Sequence, residues 1–126
     1  MAQEDYVSFE LAKLLKEKGF DWECRAFYVK SKECGIELFY SKEPYNYNNN
    51  VYPCTSAPTL QMARKWLRET FEIHCQIDCP IASSNWVYGI RDLNQDEWIT
   101  LRNMGDYETY EEACENAIKY CLENLI

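Results

Sequence analysis

His74 is the only histidine in the chain, and His74-Cys75 followed by Cys79 brings three soft ligands into one short segment. Nitrogen and sulfur donors of this kind are what a tetrahedral zinc site takes. Residues 72–79 read as a strand, however, and a strand sends alternate side chains to opposite faces. Ile73, Cys75, Ile77 and Cys79 then share one face, while His74, Gln76 and Asp78 share the other. The histidine cannot join those cysteines around one ion while the strand stays regular. The cysteines read instead as small core residues.

Asp92, Asn94 and Asp96 begin like a calcium loop, but Glu97 stands where glycine must turn the chain and Asn103 where a bidentate glutamate is needed. A hairpin loop accounts for the same residues. Nucleophilic catalysis needs a base within hydrogen-bond reach of the nucleophile, and seven cysteines have a single imidazole to draw on. Cys34, in a turn beside Lys32 and Glu33, is the thiol expected to be exposed, yet exposure alone does not lower a thiol pKa. Gly19, Gly35, Gly89 and Gly105 lie too far apart for a phosphate-cradling loop. No spacing singles out a pair among the carboxylates. The sequence calls for no metal and no cofactor, names no catalytic residue and points away from an enzyme.

Such residues must be positioned by regular elements. Ser8 as N-cap, the stripe Leu11, Ala12, Leu14 and Leu15, and Gly19 at the C′ position predict a first helix. Residues 22–30 and 36–41 are rich in aromatic and branched side chains and read as two strands around a turn at Glu33-Cys34-Gly35. Residues 44–53 have the composition of a loop. A second helix is predicted from near Ser56, with Pro58 in its first turn. Leu60, Ala63, Trp66, Leu67 and Phe71 form its buried side, and Arg64, Lys65 and Arg68 project elsewhere.

Strands are expected at 72–79, 85–92 and 97–103. Thr109 and Glu112 have capping-box spacing, and apolar pairs from Ala113/Cys114 to Leu125/Ile126 recur every four residues as the last helix. The order α-β-β-α-β-β-β-α over residues 1–126 predicts a single α+β domain, with a mainly antiparallel sheet and helices packed on one face. The second half matches the element order of double-stranded-RNA-binding domains, but its acidic last helix is electrostatically wrong for that task.

If residues 93–96 form a four-residue hairpin loop, Trp86, Tyr88 and Ile90 share the core face with Ile99 and Leu101. Val87, Arg91, Trp98, Thr100 and Arg102 then show on the opposite face, where Trp98 near two arginines makes a cation–π arrangement. His74, Gln76 and Asp78 would extend this surface along the neighbouring strand. The second candidate surface is the loop carrying Tyr45, Tyr47 and Tyr52 among asparagines, a composition suited to adaptable contacts. Each has a plainer reading. The first is also a solvated sheet face with its indole under arginine stems, and the second a long loop folded back by its own aromatics.

Charge bears on partners. Residues 92–126 hold nine acids against Arg102 and Lys119, nearly all of the net −8 of the 126-residue chain. An acidic end repels phosphate and anionic lipid and favours a basic protein partner. No stretch approaches the ~20 apolar residues of a membrane span. Met1-Ala2-Gln3-Glu4-Asp5 is acidic where a secretory signal is basic. A cytoplasmic protein with reduced cysteines is expected.

Two segments, Ser56-Ala57-Pro58-Thr59-Leu60-Gln61-Met62-Ala63-Arg64-Lys65-Trp66-Leu67-Arg68-Glu69 and Tyr110-Glu111-Glu112-Ala113 continuing to Ala117-Ile118, carry a resemblance. They resemble a family of small proteins without established function, common in Bacteroides-type gut bacteria and often in their prophages and mobile elements. The resemblance runs from the first helix to the end, and its motifs are helix faces and caps. It implies an intracellular accessory role linked to phage or mobile elements and carries over no functional residues. The resulting expectation is a non-enzymatic protein-interaction module, self-association included. Two alternatives stand beside it: single-stranded nucleic-acid contact through an open sheet face at Arg91, Trp98 and Arg102, and mimicry of nucleic acid by the acidic end.

Overall fold

A computed structural model describes residues 5–49 and 53–126. Tyr52, one of the three loop tyrosines, lies outside the described residues. The protein is α+β, with three helices and two antiparallel sheets among the described residues. It divides into two compact units, Met1–Thr59 and Leu60–Ile126.

In the first unit the Ser8 hydroxyl accepts the Leu11 N–H at 3.2 Å and starts α1, Phe9–Glu17. The helix ends in a Schellman motif, made possible by Gly19 at φ 92°. The Phe20 N–H donates to Leu15 O at 2.9 Å and the Gly19 N–H to Lys16 O at 3.2 Å. β1, Cys24–Ser31, is the middle strand of a sheet flanked by β2, Gly35–Tyr45, and β3, Cys54–Ser56.

β3 lies between the loop predicted at 44–53 and the helix predicted from near Ser56, where no strand is expected. Ser56 pairs with Phe27 across the sheet, and its buried hydroxyl accepts the Tyr47 N–H at 2.9 Å. The second helix therefore begins four residues later than its sequence signals suggest, at Leu60, with Pro58 buried ahead of it.

The second unit contains α2, Leu60–Phe71, and α3, Tyr110–Asn124. Its sheet is ordered β4 (Ile73–Asp78), β5 (Trp86–Asp92), β6 (Glu97–Trp98), and β7 (Met104–Tyr107) also pairs with β5. Both helices pack against this sheet. Thr109 accepts the Glu112 N–H at 3.1 Å and caps α3. Trp66, Leu67, Cys75, Ile90, Ile118 and Leu122 are buried in this unit. Cys75 and Cys121 bring their sulfurs to 3.6 Å between β4 and α3.

The predicted strand at 97–103 breaks after Trp98. The N–H groups of Ile99 and Thr100 both turn to Ile90 O, at 2.8 and 3.4 Å, which ends the regular ladder. The Thr100 hydroxyl accepts the Ile90 N–H at 2.9 Å and donates to Leu101 O at 2.8 Å. Ile99 and Leu101, expected on the core face, are instead 40% and 73% exposed. Pairing resumes as β7, where Met104 opposes Tyr88 and Tyr107 opposes Trp86.

Candidate functional site

The four-residue loop sets the register that brings the sheet surface together. Asp92 opposes Glu97, so Arg91 opposes Trp98, and on the other side His74 opposes Arg91. Asp92 shapes the loop, its Oδ1 accepting the N–H groups of Asn94 and Gln95 at 2.9 and 3.2 Å. Asp96 adopts a positive φ of 54° and pairs with the Arg91 guanidinium. The carboxylates of the calcium-like run are thus engaged in the turn itself. Among the described residues no group of three or more His, Cys, Asp or Glu is placed to hold a metal ion.

Trp98 is the centre of the surface. The guanidinium carbon of Arg102 sits 4.6 Å from the ring centroid and that of Arg91 5.5 Å. Beneath the indole is Gly89, where an added Cβ would come within 2.8 Å of the ring, 3.0 Å of Arg102 Cα and 3.3 Å of Leu101 O. The glycine is thus the place where the indole and the 101–102 backbone approach the sheet. Over Gly89 the sheet face is covered by the Trp98 ring and the 101–102 backbone. The indole fixes two cations, since each guanidinium is attracted to the electron-rich ring.

His74 lies beside this pair, on the face opposite buried Cys75 as strand alternation requires. Its Nδ1 is buried and has no hydrogen-bond partner. Burial holds its pKa below the ordinary imidazole value, and the Arg64, Arg68 and Arg91 cations push it the same way. The histidine is therefore neutral near pH 7, and no hydroxyl or thiol hydrogen-bonds to it among the described residues. Its depressed pKa has a sign for stability. The unfolded chain takes up this proton more readily, so the contribution is full above about pH 6.5, the unfolded value, and is lost as pH falls from there through the lower folded value. Urea midpoints measured from about pH 7.5 down to about pH 5 should fall more steeply for the native chain than for His74→Asn. Identical slopes would remove His74 from the account.

Arg64 was legible only as part of a helix surface. It is a clip. Its guanidinium donates to Cys75 O at 2.6 Å, to the Tyr110 hydroxyl at 2.7 Å and to Gln61 Oε1 at 3.0 Å. The first bond occupies a backbone carbonyl of β4, a strand at the edge of its sheet, and so blunts that edge. No periodicity could have announced this, because the acceptor is a main-chain atom on another element.

The tyrosine segment belongs to the first unit and folds back on it. Tyr47 stacks on Phe27 at 4.2 Å, and Tyr45 meets Tyr47 edge-on at 5.3 Å. Asn48 donates to Phe20 O at 3.0 Å and accepts the Ser56 N–H at 2.9 Å. Tyr45 closes β2 and stays 41% exposed, whereas Tyr47 is half-buried. Both polar and aromatic groups of this segment hold it to the sheet.

Cysteine chemistry is mostly buried. All seven are free thiols, and Cys34 and Cys79 are the exposed ones. Cys79 was expected inward, but β4 ends at Asp78. Burial pushes the Cys24 and Cys114 thiols up to about 12, far from thiolate reactivity at neutral pH. Among the described residues no helix is long and apolar enough to cross a membrane. In comparisons with known protein families, curated proteins and solved structures, the chain matches none.

Proposed function

We propose that the protein is a non-enzymatic interaction module whose contact surface is the Arg91–Trp98–Arg102 face, with His74 at its margin. The observation that carries this reading is the held indole: Trp98 rests over Gly89 and keeps two guanidinia in place. Cations already ordered lose less rotamer freedom on binding, which is what preorganisation contributes to affinity. Tryptophan and arginine are also the residues that most often dominate protein interfaces. The chemistry of this face favours a carboxylate-bearing segment of a protein partner, because guanidinium matches carboxylate geometry. The acids of α3 supply a separate reason for a basic partner, but Glu111 and Glu112 occupy its first turn, where the helix dipole already favours them.

Nucleic-acid stacking is less well supported, since the Trp98 ring meets Gly89 and two guanidinia and offers no open platform for a base. An intracellular setting agrees with seven free thiols. A link to phage or mobile elements rests on the resemblance of the α2 and α3 segments.

The test is capture of partners from host lysate at low salt, with and without nuclease, by the native chain and by Arg102→Glu. Arg102 is exposed, so its reversal leaves the fold in place. The expected result is a protein partner that survives nuclease and binds the variant at least ~10-fold more weakly, a loss of ~1.4 kcal/mol or more. Recovery only through nucleic acid, or undiminished binding by the variant, would overturn the proposal.

A further inference from the structure

We propose that the groove between α1 and strands β1 and β3 is a binding site for a small organic anion with a planar apolar body. The groove opens to solvent, offers about 450 Å³ and is lined by Phe9, Lys13, Lys16, Glu17, Tyr28 and Lys30. That volume falls within the range of small-molecule sites, which combine an apolar lining with a few convergent polar groups.

The sequence explains the lining. Phe9, Lys13, Lys16 and Glu17 recur at helical spacing, so one face of α1 forms one wall. Tyr28 and Lys30 are two apart on β1 and share the opposing strand face. The aromatic part is fixed in place. The Tyr28 hydroxyl donates to Val7 O at 2.6 Å, and its ring meets Phe9 edge-on at 5.5 Å.

The cationic part is only partly countered, because Glu17 is the one carboxylate among the described residues lining the groove against three lysines. Lys16 donates to Cys54 O at 3.2 Å and Lys13 lies 5.5 Å from the Phe9 ring centroid. Among the described residues none of the three lysines is in an ion pair. Lys13 and Lys16 are neighbours on the helix surface, and like charges at that spacing repel. An acidic chain could have balanced all three with its own carboxylates, yet among the described residues only Glu17 lines the groove and it forms no close ion pair with them. An anionic head between the ammonium groups would relieve the repulsion, while Phe9 and Tyr28 would face the planar body. Lysine is a point charge without arginine's fork, so carboxylate and phosphate monoester suit the site alike.

NMR titration of the full chain tests this with four probes: benzoate, phenyl phosphate, inorganic phosphate and benzyl alcohol. Saturable shifts at Phe9, Tyr28 and Lys16 are expected with benzoate or phenyl phosphate, and the stronger of the two assigns the head group. Benzyl alcohol, lacking charge, and inorganic phosphate, lacking the ring, should each bind at least ~10-fold more weakly. Lys16→Gln should weaken the aromatic anion at least ~10-fold, as expected for a lost charge-assisted hydrogen bond. Lys30→Gln, at an exposed position, should weaken it in the same direction even if Lys16→Gln fails to fold. The proposal is overturned if no aromatic anion gives saturable shifts at these residues up to about 10 mM, well beyond millimolar affinity. Equal binding of benzyl alcohol, equal binding of inorganic phosphate, or full affinity in a folded lysine variant would overturn it equally.

Discussion

Phe20→Ala is expected to destabilise the protein by about 3–5 kcal/mol, the range found when a buried phenylalanine is truncated. Phe20 is the largest of the fully buried side chains among the described residues, only 1% exposed. It also occupies the position after Gly19 at which the chain leaves α1. Its N–H closes the outer bond of the Schellman motif, and its carbonyl accepts from Asn48. Asn48 in turn accepts the Ser56 N–H, so one side chain ties the helix stop to β3. Truncation removes apolar area and leaves a cavity at this junction. Against a total stability of about 5–15 kcal/mol for an ordinary domain, that loss is a large share. Urea denaturation followed by circular dichroism gives the number. Phe20→Leu, which keeps most of the volume, should cost only about 1 kcal/mol. A loss below about 1 kcal/mol for Phe20→Ala would mean that the junction collapses around the missing ring.

The features legible in the sequence are those governed by neighbours along the chain. Ser8 and Thr109 accept the N–H groups that N-caps accept, and Gly19 takes the positive φ its place at the helix end requires. The loop at 93–96 has the predicted length, and from that length alone Arg91 falls opposite Trp98. What was not legible depends on backbone groups meeting across space. β3 exists because three residues find β1, and composition offers no signal for so short a strand. The strand after Trp98 fails because Ile90 O receives two donors, Ile99 and Thr100. Alternation cannot anticipate that irregularity, and the error carries Ile99 and Leu101 out to solvent. Tyr47 likewise folds back because Ser56 accepts its N–H, a partner nine residues away.

Net charge was a poor guide to the surfaces. The chain carries −8 overall, yet each proposed site is built on cations. The reconciliation is positional. Glu111 and Glu112 stand in the first turn of α3, where they stabilise the helix, and Asp96 serves the loop by pairing with Arg91. Acids with such local duties contribute to the total without describing the surface a partner meets. A global charge is therefore an argument about solubility and long-range steering, and the local arrangement of Arg, Lys and aromatic groups is the argument about recognition.

Gly89→Ala should destabilise the protein by about 1–3 kcal/mol, the cost of inserting a methyl group into a filled space. The sign is the informative part. Replacing glycine by alanine ordinarily stabilises by about 0.4–1 kcal/mol through the unfolded chain, wherever the native backbone accepts the side chain. Gly89 has no positive φ to forbid alanine, so only crowding opposes it. The new methyl would meet the Trp98 ring at 2.8 Å and Arg102 Cα at 3.0 Å. The ring is the far end of a side chain and can swing away, carrying the two guanidinia out of register with it. The Arg102 backbone cannot yield without moving the 99–103 segment. A double-mutant cycle with Trp98→Ala separates the two contacts. If the indole is the main obstacle, the cost of Gly89→Ala shrinks in the Trp98→Ala background. If the backbone is, the cost persists. In either case the Trp98 indole N–H signal should shift in Gly89→Ala, and partner binding should weaken as it does for Arg102→Glu. A stable Gly89→Ala chain with an unmoved indole signal would show that Trp98 does not rest on the sheet, and the held-cation basis of the interaction surface would go with it.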